Sequence, residues 1–283
     1  MKEALYYEKL DVKRVHCHLC PNECLISDGN RGSCGVRINK YGTLYSEAYG
    51  KTTSVSLDPI EKKPLYHYHP GQYILSVGTK GCNLHCDFCQ NWHISQDLNV
   101  PTEDITSEEI VARAKAAGSF GIAYTYNEPF IWYEFVLDTA RLAKKHGLEN
   151  VLVTNGYVNM APLEEMLPYI GAMNIDLKSF NEDFYAKICK GALKPVLDVI
   201  KRSVKDCHVE ITTLLIPTLN DSEEEIAREV DWIFDNLGPE VPLHFSRYFP
   251  CYKMSLGPTP VRTLEMAARI AKKKLKYVYL GNV

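Results

Sequence analysis

From residue 73 onward, short apolar and β-branched runs alternate with longer stretches whose apolar positions recur every three or four residues. The first texture predicts strands and the second amphipathic helices. Strands are predicted over 73–80, 122–126, 151–155, 172–178, 208–216 and 242–249. Helices are predicted between them over 106–117, 131–146, 162–169, 193–205 and 222–237, with another over 263–274 after the last strand. Ser107 and Glu109 mark one helix start and Asp221 before Ser222 another, while Gly118, Gly147 and the pair Gly238 and Pro239 mark ends.

Regular strand–helix alternation predicts a parallel sheet wrapped by helices. Six such units are too few for a closed eight-fold barrel and too uniform for a two-domain dinucleotide-binding enzyme. The expected fold class is therefore α/β, a partial (β/α)6 TIM-like barrel over 71–283. In such folds the working residues gather at the C-terminal ends of the strands. No glycine-rich phosphate loop follows any strand. Residues 1–70 lack the alternation, and they carry Cys17, Cys20, Cys24 and Cys34 among Gly, Asn, Asp and Pro. A cysteine-rich metal-binding N-terminal region is expected there, dependent on its metal for folding because it has few large apolar groups to bury.

Composition narrows the function classes. The 283 residues are 46% hydrophobic and 24% charged, which argues for a globular chain and against disorder. With 32 Lys+Arg against 35 Asp+Glu the net charge is −3, so no broad basic field exists for nucleic acid or anionic membrane. No apolar run reaches membrane-spanning length, and the charged start is unlike a secretory signal. The chain is expected in the cytoplasm, as a monomer, with no nucleic-acid or membrane partner. Ten cysteines are many for such a protein, and seven fall before residue 90. In a reducing compartment such clusters point to metal or iron–sulfur ligation rather than disulfides.

Directly after the first predicted strand stands Gly81-Cys82-Asn83-Leu84-His85-Cys86-Asp87-Phe88-Cys89, a C-x3-C-x2-C triad. Three thiolates on one tight loop can hold three irons of a [4Fe–4S] cube and leave the fourth open, which makes a reaction centre rather than an electron carrier. Cys17, Cys20, Cys24 and Cys34 form C-x2-C-x3-C-x9-C. Four thiolates close a shell, and that count suits either tetrahedral zinc or a fully ligated auxiliary cluster. Pro21 after Cys20, as in ferredoxins, tips the balance slightly toward iron–sulfur. Cys189 and Cys207 are expected to be plain free thiols, and Cys251 sits on the active face without a visible partner.

At the triad, with Phe88 as the aromatic of C-x3-C-x-aromatic-C, the sequence resembles the radical S-adenosylmethionine (SAM) enzymes. Lys63-Pro64-Leu65-Tyr66-His67-Tyr68, Cys89-Gln90-Asn91-Trp92 and Tyr124-Thr125-Tyr126-Asn127-Glu128-Pro129 make it similar to their pyruvate-formate-lyase-activating-enzyme-like branch, of the AmmeMemoRadiSam-system type. The resemblance implies that SAM chelates the open iron and is cleaved to methionine and a 5′-deoxyadenosyl radical. It also implies an external reductant such as flavodoxin or ferredoxin. Glu128 stands where the family has Gly-Gly-Glu-Pro to receive the methionine ammonium, with Tyr126 and Asn127 in place of the glycines. Asn155 lies in a matching Thr-Asn-Gly, although Val153 replaces the Asp that helps bind a monovalent cation in activating enzymes. Asp176 and Lys178 match an Asp-x-Lys near the cofactor carboxylate and ribose. Glu210 and Thr212 share a strand face that points inward, and with His244 they complete the expected cofactor-binding set. Three functions stay open: hydrogen abstraction from a protein, as in glycyl-radical activation; radical chemistry on a small molecule; and a two-cluster electron carrier without catalysis.

Overall fold

A computed structural model describes residues 1–283. Its main sheet has eight strands: β1 (Ser54–Pro59), β2 (Tyr73–Gly78), β3 (Gly121–Tyr124), β4 (Glu149–Thr154), β5 (Ala172–Asp176), β6 (His208–Leu215), β7 (Leu243–Arg247) and β8 (Val278–Gly281). They lie side by side in chain order. Strands β2 to β8 are parallel, and β1 runs antiparallel to β2. Crossovers of fixed hand that always step the same way leave every helix on one face of a sheet. Those helices are α1 (Ser107–Ala116), α2 (Tyr133–Lys145), α3 (Met160–Met166), α4 (Leu193–Ser203), α5 (Glu223–Leu237) and α6 (Val261–Ala271). The edge strands β1 and β8 do not pair with each other, so the sheet stays open.

The helix starts are chemically specified. Thr106 caps α1 by accepting from Glu109 N at 3.1 Å while Glu109 accepts from Thr106 N at 2.7 Å, a reciprocal capping box. Ser222 caps α5 by accepting from Glu225 N. On the buried side of α5, Glu229 takes a hydrogen bond from the Thr213 hydroxyl, and burial pushes its carboxyl up to about 8. Its folded value lies above the ordinary 4.5, so the stability it contributes is complete below that value and is lost as pH rises toward 8. Glu229→Gln is therefore expected to stabilise the protein relative to wild type by on the order of 3 kcal/mol above pH 8 and by much less near pH 5. Chemical denaturation at the two pH values measures this.

Three features depart from the sequence expectation. There are seven parallel strands rather than six, because the short β8 follows the lysine-rich end of α6. Strand β1 lies inside the region assigned to the cysteine-rich part, so Ser54–Pro59 of that region pairs into the main sheet. Finally, the N-terminal segment has no core of its own. Its two small antiparallel sheets comprise Tyr7–Lys9, Val15–Cys17 and Cys24–Ile26, and Lys2–Glu3, Thr43–Ser46 and Arg37–Lys40. Val15, Leu19, Ile26, Val36 and Leu44 join the same hydrophobic core as the main sheet. A buried ion pair between Arg37 and Glu134 of α2 fastens the two parts together.

Candidate active site

The cysteine loop 81–91 leaves the C-terminal end of β2 and is clamped at both ends to the loop that leaves β3. Asn127 donates to Gly81 O at 2.9 Å and accepts from Thr79 N at 3.2 Å. Asn91 donates to Tyr126 O at 2.7 Å. Tyr126 has φ +73°, the backbone state that glycine adopts freely. Its ring is held in compensation: its hydroxyl donates to Asp58 at 2.8 Å, and the Lys63 ammonium lies 4.7 Å from the ring centre. Asp58 and Lys63 are themselves a buried pair at 2.8 Å. Burial opposes ionisation of Asp58, yet Lys63 and Tyr126 hold its carboxyl well below the usual range.

Gly81 sits at φ +90°, and a Cβ there would lie 2.6 Å from Cys34 O and 2.9 Å from Val36 Cγ1. The cysteine loop therefore packs directly on the N-terminal cysteine segment. Gly81→Ala is expected to lower the iron and sulfide retained after anaerobic reconstitution. Unchanged iron content would contradict this packing role.

Cys82, Cys86 and Cys89 line a cavity of about 370 Å³. Phe88, Glu128, Asn155, Asp176, Lys178 and Thr212 line the same cavity, so the C-terminal ends of β2 to β6 converge on it. This size falls within the range of small-molecule sites. Burial pushes the Cys82 and Cys89 thiols up, while the neighbouring Cys189 thiol and then burial do so for Cys86. Without a metal these groups favour the protonated form, which is the setting in which coordination is needed to produce thiolates. The Asn155 amide donates to Cys82 Sγ at 3.6 Å, and Ser95 Oγ lies 3.1 Å from Cys89 Sγ. Hydrogen bonds to cluster sulfurs are a lever on reduction potential. No disulfide exists among the ten cysteines.

Glu128 is 1% exposed and accepts three hydrogen bonds: Thr154 Oγ1 at 2.8 Å, Asn155 N at 2.8 Å and Phe130 N at 2.9 Å. Burial still pushes its carboxyl up to about 7. It is thus a preformed acceptor in a dry setting rather than a solvated helix start. Lys178 and Asp176 pair at 2.7 Å. Burial lowers the Lys178 ammonium, but Asp176 and the Cys86 sulfur together hold it above its ordinary value.

Glu210 and His244 do not line this cavity. They bond each other at 2.6 Å, and Glu210 also takes bonds from His208 at 3.0 Å and His67 N at 2.7 Å. Glu210 lies two residues before Thr212, or about 6.6 Å nearer the N-terminal end of β6. Glu210 therefore lies below the cavity, while His244, the register partner of Thr212 on the neighbouring strand, stands level with its lining and turns to Glu210 instead. Cys189 is a free thiol, as expected, and lies fully buried beside Cys86. Sequence reasoning missed Asn83, Asn91, Asn127, Asp58 and Lys63, because loop asparagines look like turn formers and the Asp58–Lys63 pair lay in the segment assigned to the cysteine-rich region.

Comparison with known proteins places this geometry. Residues 76–230 match the Radical SAM superfamily. An uncharacterized protein of Methanocaldococcus jannaschii is 48% identical over 288 residues, covering 100% of this chain and 86% of the relative. The pyruvate formate-lyase-activating enzyme of Clostridium pasteurianum is 26% identical over 163 residues, covering 54% of this chain and 66% of that enzyme, just under two thirds of its length. The crystal structure of a radical SAM methyltransferase from Sphaerobacter thermophilus shares the fold, with a TM-score of 0.59 at 18% identity over 75% of this chain and 67% of the other. A cysteine triad at the end of the first parallel strand and a match over more than half the chain lead to one conclusion: the protein belongs to the radical SAM superfamily, a family of enzymes that carry out radical chemistry, and is similar to its activating-enzyme branch.

Proposed function

We propose that Cys82, Cys86 and Cys89 hold a [4Fe–4S] cluster through three irons and present the fourth to SAM in the cavity at the open end of a partial barrel. The observation that carries this reading is the convergence of the triad with Glu128, Asn155, Asp176, Lys178 and Thr212 on one cavity. When bound, the cluster and SAM together supply a 5′-deoxyadenosyl radical that takes a hydrogen atom from the substrate. The protein's own work is to bind, orient and exclude water. Glu128 is an acceptor for the methionine ammonium, and a charge-assisted bond gains strength in so dry a site. Lys178 is the cation for the carboxylate. Thr212 with Leu214 and Ser246 forms the far wall, where the adenosyl group would lie.

The same reading gives Cys17, Cys20, Cys24 and Cys34 a fully ligated [4Fe–4S] cluster. Four thiolates also suit tetrahedral zinc, and metal and sulfide analysis distinguishes the two centres. The guanidinium of Arg37, 1% exposed, donates to Cys17 Sγ at 3.7 Å, which suits a buried anionic centre. The two cysteine loops also interlock: Asn22 donates to Asn83 O at 2.8 Å, and Ser33 Oγ meets His85 at 3.0 Å. Such proximity fits electron delivery from a flavodoxin or ferredoxin through the N-terminal centre to the triad. Similarity to activating enzymes supports a polypeptide as hydrogen donor, as in glycyl-radical activation. Anaerobic incubation of the reduced protein with SAM should yield 5′-deoxyadenosine. Addition of a glycyl-radical protein should then yield a protein-borne radical by electron paramagnetic resonance. Absence of the nucleoside would refute the chemistry, and nucleoside without a protein radical would refute the polypeptide substrate.

A further inference from the structure

We propose that Glu8, His16 and His18 bind one divalent first-row transition-metal ion, zinc foremost, on the outer face of the N-terminal sheet. Side chains alternate along a strand. Cys17 points into the core, so its neighbours His16 and His18 point outward together, with ring centres 4.1 Å apart. Glu8 is the direct cross-strand partner of His16.

The spacings suit a single ion. Glu8 Oε1 lies 3.3 Å from His16 Nδ1 and 3.5 Å from His18 Nε2. Metal–ligand bonds of about 2.0–2.1 Å in a tetrahedron place neighbouring ligands about 3.3–3.4 Å apart. These three residues are also the one set in the chain whose ligand atoms converge within 4.8 Å.

The remaining imidazole nitrogens are already engaged by an outer carboxylate. Glu23 Oε2 stands 3.0 Å from His16 Nε2 and 2.7 Å from His18 Nδ1. Ligating histidines commonly hand their second N–H to a carboxylate in this way, which fixes the tautomer and raises ligand basicity. Glu23 is held in place by the Asn159 amide and carries φ +42°. Two neutral imidazoles and two carboxylates balance a dication. Side-chain exposures of 24% for His16, 37% for His18 and 56% for Glu8 leave the fourth position to solvent or an external ligand. The site uses nitrogen and oxygen, unlike the sulfur centre on the opposite face of the same sheet. Metal binding there would pin Glu8 to the strand that carries Cys17.

The test is a Co2+ titration of the protein with its iron–sulfur centres reconstituted, monitored by absorption and competed with Zn2+. One Co2+ per chain should bind with a d–d spectrum free of thiolate charge transfer. The double variant His16→Asn/His18→Asn should lose that ion while keeping its iron and sulfide. Glu23→Gln, which leaves all three ligands in place, should weaken binding by about 10- to 100-fold. Failure of wild type to bind, a thiolate-to-cobalt band, or equal affinity in wild type and the double variant would overturn the proposal.

Discussion

Replacing Cys82, Cys86 and Cys89 together by alanine is expected to reduce 5′-deoxyadenosine formation to the level of a protein-free control, while about half of the iron and sulfide remains bound. The three sulfurs sit in the cavity with Glu128 and Lys178, whereas Cys17, Cys20, Cys24 and Cys34 form a separate set. If the triad holds the cluster that meets SAM, no other thiol can substitute. Cys189, fully buried beside Cys86, and Cys251, which donates to Cys89 O at 3.5 Å, are the nearest alternatives. Each neighbours a triad residue, so the variant tests whether either can take over. Metal and sulfide analysis of this variant also assigns the N-terminal centre: iron with sulfide supports the auxiliary cluster, zinc without sulfide indicates a structural ion, and neither refutes a metal site there.

Glu134→Leu is expected to destabilise the protein by about 3–5 kcal/mol, because it leaves the Arg37 guanidinium buried beside the core without its carboxylate. Arg37 and Glu134 are 1% and 0% exposed, and Glu134 also accepts from Leu5 N at 2.8 Å. Arg37 Nε and Glu134 Oε2 have no partner, so the pair already carries unsatisfied groups. An ion pair of this kind contributes little relative to a well-packed apolar replacement, although breaking it is costly. The double variant Arg37→Met/Glu134→Leu should therefore recover most of the loss in urea unfolding. The N-terminal cysteines would then lose a cation beside Cys17, and the double variant should bind its metal less tightly despite its restored stability. A single variant within about 1 kcal/mol of wild type would contradict this account.

Much of this organisation was legible in the sequence, and the exceptions have physical causes. Six of the seven parallel strands carry short apolar or β-branched stretches, such as Val151–Val153 and Ile211–Leu215, followed by helical spacing. Strand β8 is only four residues long, and β1, although Ser54-Val55-Ser56-Leu57-Asp58 alternates polar with apolar, is antiparallel to β2 with no crossover helix between them, so neither fits the strand–helix repeat. The triad was legible because its spacing is itself the chemistry. Strand alternation showed that Glu210 faces inward but not how deep it lies, and two residues separated it from the cavity that Thr212 reaches. The clamps made by Asn91 and Asn127, and the Tyr126–Asp58–Lys63 support, depend on loops meeting in space. The Glu8–His16–His18 set depends on the register of three-residue strands. No local pattern encodes either arrangement.

The most direct test of an open iron held by Cys82, Cys86 and Cys89 is electron–nuclear double resonance on the one-electron-reduced protein with SAM labelled at the methionine amine with 15N and at the carboxylate with 17O. Hyperfine coupling to both labels, lost in the Cys82→Ala/Cys86→Ala/Cys89→Ala variant, is the predicted result. A reduced cluster that shows no coupling to either label while SAM is demonstrably bound would contradict it.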